Sequence, residues 1–218
     1  MATPDGLEGR VVRINATWGH RCNTLLFMIS KTGAAVANDH LSVPIVHLDI
    51  PGGRTNPLAK TQAAFKYITR HHLRDTDWVF VADDATFAVV ENLRYLLKDQ
   101  RSRSPVYLGR RFKHSAGQGY MSGGAGYVLS RAAVRTFLID LARNPNLCQD
   151  KFSGAEDVLL GVCLEKCGVK AMDTRDAAGR QRFHPRGPWD YLLPGQQSRD
   201  VSPLSHDYYP TEWVIIKY

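Results

Sequence analysis

Five apolar residues, Trp78-Val79-Phe80-Val81-Ala82, end abruptly in two adjacent carboxylates, Asp83 and Asp84. A run so short and so continuously apolar predicts a central strand covered on both faces, as in an open α/β sheet. Such sheets bind ligands just beyond their strand C-termini, so the acidic pair stands where a cation could be held. Acidic residues after a strand also serve as ordinary loop or helix caps, and both readings stay open at this point.

Strand and helix signals alternate along the rest of the chain. Thr24 to Ser30 and Val43 to Ile50 read as two early strands, separated by the polar stretch from Lys31 to Leu41. Pro51-Gly52-Gly53 breaks the chain, and Leu58, Phe65, Ile68 and His72 then recur at helical spacing over about Pro57 to Leu73. Val89 to Lys98 is again helical, while Pro105 to Leu108 and Tyr127 to Leu129 are short strands. Ser130 caps a helix that ends near Asn144-Pro145, and another helix spans Ala155 to Cys167 with Gly168 in the stop position. The expectation is one α/β domain over residues 17–173. Residues 174–218, rich in Pro, Gly, Arg and Asp, are either an ordered substrate-side loop or a weakly structured tail.

The 218 residues suffice for one substantial core. Lys and Arg number 28 against 21 Asp and Glu, a formal charge of +7 that would draw polyanions or phosphorylated ligands. Arg101 and Arg103, then Arg110, Arg111 and Lys113, then Arg180 and Arg182 form local clusters that read as solvated faces. No helix-turn-helix, zinc-finger or aromatic RNA-binding pattern accompanies them, which argues against nucleic acid. No stretch approaches the roughly 18 apolar residues of a membrane span, and Met1 to Arg10 lacks the apolar core of a signal peptide. Cys22, Cys148, Cys163 and Cys167 lack zinc-site spacing. A disulfide from Cys148 to Cys163 or Cys167 and a set of buried free thiols are both compatible with the sequence. Asn15-Ala16-Thr17 matches a glycosylation acceptor.

Three further segments carry chemistry. Gly52-Gly53-Arg54 through Lys60 puts a turn, a guanidinium and an ammonium at the start of a helix, which suits phosphate. Between Tyr120 and Tyr127, Ser122, Gly123, Gly124, Ala125 and Gly126 let a backbone lie against a ligand, or permit tight packing. Glu156 and Asp157 open an apolar helix, where the helix dipole favours acids and where a general base could also stand.

Taken in order, Thr17-Trp18-Gly19-His20-Arg21-Cys22-Asn23, Ala82-Asp83-Asp84, Glu91-Asn92-Leu93-Arg94, Tyr107 to Lys113, Tyr120 to Ser130 and Gly154 to Val158 resemble the core 1 β1,3-galactosyltransferases. More distantly they resemble the fringe-like β1,3-glycosyltransferases. The resemblance covers about Thr17 to Pro185. It implies a glycosyltransferase A-type, Rossmann-like mixed sheet flanked by helices, with UDP-galactose as donor and a serine- or threonine-linked N-acetylgalactosamine on a glycoprotein as acceptor. It further implies Mn²⁺, a lumenal Golgi location behind an N-terminal membrane anchor, and a homodimer or a homologous transferase as partner.

By the same resemblance, Arg54 and Lys60 match basic positions near UDP, and Asp83 and Asp84 match the first two of three metal-site aspartates. Asp157 matches the catalytic base. Tyr120, Gly123 and Gly124 are read from their residue types as a surface for the acceptor or sugar, Glu156 as a support of the loop or of an acceptor hydroxyl, and the cradle requires these distant segments to converge.

The chain departs from the family pattern in four places. Ala85 replaces the third aspartate, and no cysteine follows Cys167, so the family's Cys-Cys-Ser run and its histidine ligand find no counterpart. The membrane anchor and the first strand expected ahead of Thr17 are missing too. A gene fragment, a degenerate paralogue and an incomplete coding sequence all remain open. The activity expected is galactosyl transfer, intact or impaired. The alternative is an inactive relative that binds a glycosyltransferase or a glycan, as the family's chaperone does.

Overall fold

The structure, a computed structural model, describes residues 1–3, 6–31, 42–51, 57–113, 117–148, 155–188, 190 and 206–209. Two compact units divide the chain, residues 1–76 with 81–101 and residues 77–80 with 102–218.

The first unit is organised by the parallel strands β1 (Phe27–Lys31) and β2 (Ile45–Pro51). Phe27 pairs with Ile45 and Ser30 with Leu48, before the register shifts at Lys31. Helix α2 (Pro57–His71) follows and buries Leu58, Thr61, Ala64 and Phe65, the i, i+3, i+4 positions of one face. Met28, Val46, Leu48 and Ala64 close into a core with Leu26, Ile50, Tyr67 and Ile68 packed around it.

Sequence patterning found these elements but missed the helical turns ahead of them. A π-helical turn (Leu7–Val11) runs directly into α1 (Val12–Ala16), burying Leu7, Val11 and Ile14. No strand is assigned ahead of Thr17 among the described residues, yet the backbone there is engaged. Ala2 N donates to Met28 O at 3.0 Å, and the Met1 amine donates to Ala82 O. Helix α3 (Val90–Leu97) lies after the acidic pair. Its Arg94 donates to Arg21 O at 2.7 Å and Asn23 Oδ1 at 3.1 Å, while Arg21 Nη1 donates to Glu91 Oε1 at 2.7 Å. Two motifs seventy residues apart are thereby one local structure.

The second unit carries a four-stranded mixed sheet and a small ribbon. The sheet comprises β3 (Trp78–Val81), β4 (Val106–Gly109), β7 (Tyr127–Ser130) and β8 (Lys170–Ala171), in the order β3-β7-β4-β8. β4 is antiparallel to β7 and parallel to β8. β3, expected to be central and covered on both faces, sits at the end of this sheet, and of its residues only Val79 is buried. A uniform apolar run cannot separate a central strand from an end strand, because position depends on partners elsewhere in the chain. The ribbon pairs β5 (Arg111–Phe112) with β6 (Tyr120–Met121), antiparallel.

Helix α4 (Arg131–Arg143) begins where expected, since Ser130 Oγ accepts from Ala133 N at 3.0 Å. Helix α5 (Glu156–Lys166) buries every residue from Leu160 to Leu164 and stops at Gly168, which takes a φ of +70°. A Cβ on Gly161 would lie 2.9 Å from Tyr120 Cα, so glycine is what lets α5 touch β6.

Of the two cysteine pairings left open, the structure forms Cys148–Cys163. Cys167 is a buried free thiol, its pKa pushed up to about 11 by burial and then by Asp140. Beyond Asp173, residues 174–188 and 206–209 have defined places in the second unit. Thr174 Oγ1 donates to Gly109 O at 2.7 Å, and Asp207 bridges to Phe112 of β5.

Candidate active site

Asp83, Asp84 and Lys60 fall in the first unit, whereas Tyr120, Gly123, Gly124, Glu156 and Asp157 fall in the second. Arg54 lies outside the described residues.

The two aspartates have different partners. Asp83 Oδ1 accepts from Ala85 N and Thr86 Oγ1, both at 2.9 Å, a turn that fixes the backbone after β3. Asp83 is exposed, and no bond to its other oxygen is seen among the described residues. Asp84 Oδ2 accepts from Thr3 N at 3.2 Å and Thr3 Oγ1 at 3.1 Å, and Oδ1 lies 3.3 Å from Arg10 Nε. Its side chain is only 10% exposed. Gly6 packs so closely on this carboxylate that a Cβ there would collide with it.

Lys60 donates to Ala2 O at 2.6 Å, and burial lowers its pKa against the opposing pull of Asp84. Its ammonium, expected to face a phosphate, is thus already bonded to backbone. Thr3 and Arg10, which sequence reasoning passed over, complete this cluster. Their signal was absent because neither belongs to a recognisable spacing.

The fit to a divalent cation is partial. Among the described residues no group of three or more His, Cys, Asp or Glu side chains gathers. Asp83 offers a carboxylate oxygen to solvent, and Asp84 would have to share its own with Thr3 and Arg10. A hard ion held by one or two carboxylates takes its remaining ligands from water and phosphate, so these residues fit an ion that arrives with a diphosphate.

In the second unit the small-residue segment becomes a 3₁₀ turn (Gly123–Ala125) closed by Gly126 at φ +71°. It bonds to Asp157, whose Oδ2 accepts from Gly123 N at 2.8 Å and whose Oδ1 accepts from Val158 N at 2.9 Å. Two backbone donors on different elements fix the carboxylate plane and still leave each oxygen a lone pair. Burial and the nearby Asp157 both raise the Tyr120 pKa, in that order, so Tyr120 stays a neutral hydrogen-bonding phenol. Tyr127 Oη donates to Glu156 Oε1 at 2.9 Å, while Tyr107, fully buried, both donates to Met121 O and accepts from Met121 N.

The glycines serve different ends. A Cβ on Gly124 would lie 3.1 Å from Pro185 O, so its smallness is spent on packing, whereas Gly123 offers its N–H to Asp157.

Sequence reasoning also misjudged Arg110. Counted with a solvated basic cluster, it is 1% exposed, and its guanidinium forks onto Asp207 at 2.8 and 2.6 Å. Arg111 stacks 3.6 Å from the Tyr208 ring and donates to Tyr209 Oη at 2.9 Å. Arg110 directly follows a buried strand, which was the available hint.

A family model described as Fringe-like matches residues 7–184. Glycoprotein-N-acetylgalactosamine 3-beta-galactosyltransferase 1 of Xenopus laevis is 38% identical over 192 residues, which is 88% of this chain and 51% of that protein. Beta-1,3-glucosyltransferase of Mus musculus is 30% identical over 75% of this chain, and that of Homo sapiens 31% identical over 84%, each match covering 34% of the relative. The chain therefore spans about half the length of the first relative and about a third of the other two.

Proposed function

Given that the chain belongs to the Fringe-like family, whose A-type glycosyltransferase fold agrees with its mixed α/β architecture, we propose that it is an inverting galactosyltransferase. The donor is UDP-galactose, and the acceptor is the 3-hydroxyl of serine- or threonine-linked N-acetylgalactosamine on a glycoprotein. The observation that carries this reading is the Asp157 carboxylate, held at the head of α5 by Gly123 N–H and Val158 N–H beside the Tyr120 phenol. It is supported by the similarity to the Xenopus enzyme.

In this reading Asp157 takes the proton from the acceptor hydroxyl as its oxygen attacks the anomeric carbon opposite UDP, inverting the configuration. Glu156, bonded to Tyr127, keeps the start of α5 in register with β7. Mn²⁺, held by Asp83 and to a lesser degree Asp84, would offset charge on the departing diphosphate. A homodimer or a homologous transferase is the partner proposed, and the lumen of the Golgi the location. The Cys148–Cys163 disulfide supports an oxidising compartment. Among the described residues no helix is long and apolar enough to cross a membrane.

The test is direct. Full chain with Mn²⁺, UDP-galactose and an N-acetylgalactosamine-bearing peptide is expected to release UDP and form the disaccharide. No transfer, with Asp157→Asn indistinguishable from the parent, would defeat the assignment.

Ala85, together with the engagement of Asp84 by Thr3 and Arg10, favours a second reading, an inactive relative that binds a transferase or a glycan. Calorimetric titration with UDP, with and without Mn²⁺, separates the two. Co-purification with an active homologue in the absence of UDP binding supports the second.

A further inference from the structure

Among the described residues Arg110 is the largest fully buried side chain, and its partner Asp207 is 3% exposed. A buried charge pair is costly to desolvate and is a weak source of stability, so its place in the fold needs another explanation. The pair joins two distant segments. Asp207 belongs to residues 206–209, which extend the β5–β6 ribbon as a third line of backbone. Lys113 N donates to His206 O at 2.6 Å, and Tyr208 N to Arg111 O at 3.0 Å.

Arg110 also reaches the other way. Its carbonyl accepts from Ser122 N at 2.9 Å, immediately before the turn in which Gly123 N donates to Asp157 Oδ2. Its Nη1 lies 3.4 Å from Phe183 O, two residues before the Pro185 carbonyl that packs on Gly124. An unbroken path of hydrogen bonds and covalent links thus runs from Asp207 through Arg110 and Ser122 to Gly123 and Asp157.

Resting on the transferase reading above, we infer that Arg110 and Asp207 are positioning residues, a latch through which the segment at 206–209 holds the glycine turn and so aims the Asp157 carboxylate. The C-terminal segment is then part of the catalytic apparatus. Lysine at 110 keeps the charge and loses the planar fork, so the latch depends on the guanidinium.

Native-state hydrogen exchange on the unsubstituted chain tests this without any variant. The amides of Lys113, Ser122, Gly123 and Tyr208 are expected to open as one cooperative unit with one denaturant dependence, separately from Leu108 and Val128 of the sheet. Free exchange of Lys113 and Tyr208 while Ser122 and Gly123 stay protected overturns the proposal.

Arg110→Lys is then expected to speed Ser122 and Gly123 exchange about tenfold or more and to lower kcat by a similar factor, with the donor KM unchanged. Should that variant fail to fold, the paired Arg110→Met/Asp207→Leu chain removes both buried charges and gives the same two readouts. Unchanged exchange and unchanged kcat sink the latch. A parent chain that shows the coupled opening but no galactosyl transfer leaves the latch standing and removes the transferase reading instead.

Discussion

Gly123 and Asp157, 34 residues apart, meet through one hydrogen bond of 2.8 Å from backbone amide to carboxylate Oδ2. A Cβ at position 123 would lie 3.4 Å from the same oxygen, an ordinary contact, so what the position supplies is its backbone N–H. With the bond from Val158 N–H it sets the plane of the carboxylate to which the proposed reaction assigns a proton.

Asp157→Asn keeps one acceptor oxygen for Gly123 N–H, gives up the acceptor facing Val158 N–H, and removes the capacity to take a proton. Transfer is expected to fall by about 10²–10⁴-fold, the range typical of general-base removal, while UDP affinity is retained. Steady-state kinetics paired with UDP titration checks this. A parallel loss of UDP binding would show that Asp157 organises the fold rather than the chemistry.

Ala85 holds the turn through its N–H, which donates to Asp83 Oδ1 at 2.9 Å. Ala85→Asp keeps that bond and adds a carboxylate to a set that is short of donors, so Mn²⁺ affinity and metal-dependent transfer are both expected to rise. A gain of ~3 kcal/mol in transition-state stabilisation would appear as about two orders of magnitude in rate. Titration of Mn²⁺ against turnover in the two chains gives the answer, and an identical response would argue against a metal role for this loop.

His184 has its pKa lowered from 6.5, first by burial and then by the Arg110 guanidinium, with a hydrogen bond donated by the imidazole to the Gln181 backbone opposing. Between the depressed folded value and 6.5 the unfolded chain holds a proton that the folded chain does not. Stability therefore rises with pH through that window, is lost as acidification passes down through it, and changes no further from this group below it. Thermal melts from pH 7.5 to pH 5 are expected to decline, and His184→Gln to flatten the decline. The same slope in both chains would assign it to other groups.

The Cys148–Cys163 bridge spans a sequence separation of 15, for which loop-closure entropy gives about 3 kcal/mol of stabilisation. Reduction, or Cys148→Ser, is expected to lower the melting midpoint accordingly. Alkylation of the unfolded, unreduced chain should modify two thiols, Cys22 and Cys167, the free cysteines of the structure. Four modified cysteines would mean that the bridge does not form in solution.

The early strands, α2, α3, α4 and α5 were legible in the sequence because each rests on local physics: apolar periodicity, a serine cap at Ser130 and a glycine stop at Gly168. The helical turns over residues 7–16 carry the stripe Leu7, Val11, Ile14, but Gly6 and Gly9 interrupt a stretch too short for periodicity to stand out. The candidate residues Asp157, Gly123 and Tyr120 could be singled out together, because the motifs that hold them keep their order along the chain.

Partnership was another matter. Nothing near Arg110 announces Asp207, 97 residues on, and nothing near Asp84 announces Thr3, 81 residues back. Cys163 and Cys167 were equal candidates for Cys148 until the helix face was fixed. A side chain's type and local periodicity are written in its neighbours along the chain, so the sequence alone determined the elements and the residues capable of chemistry. Which charge is buried, which carboxylate is already bonded and which thiol is joined depend on groups brought close only when long loops close, and those the tertiary structure decided.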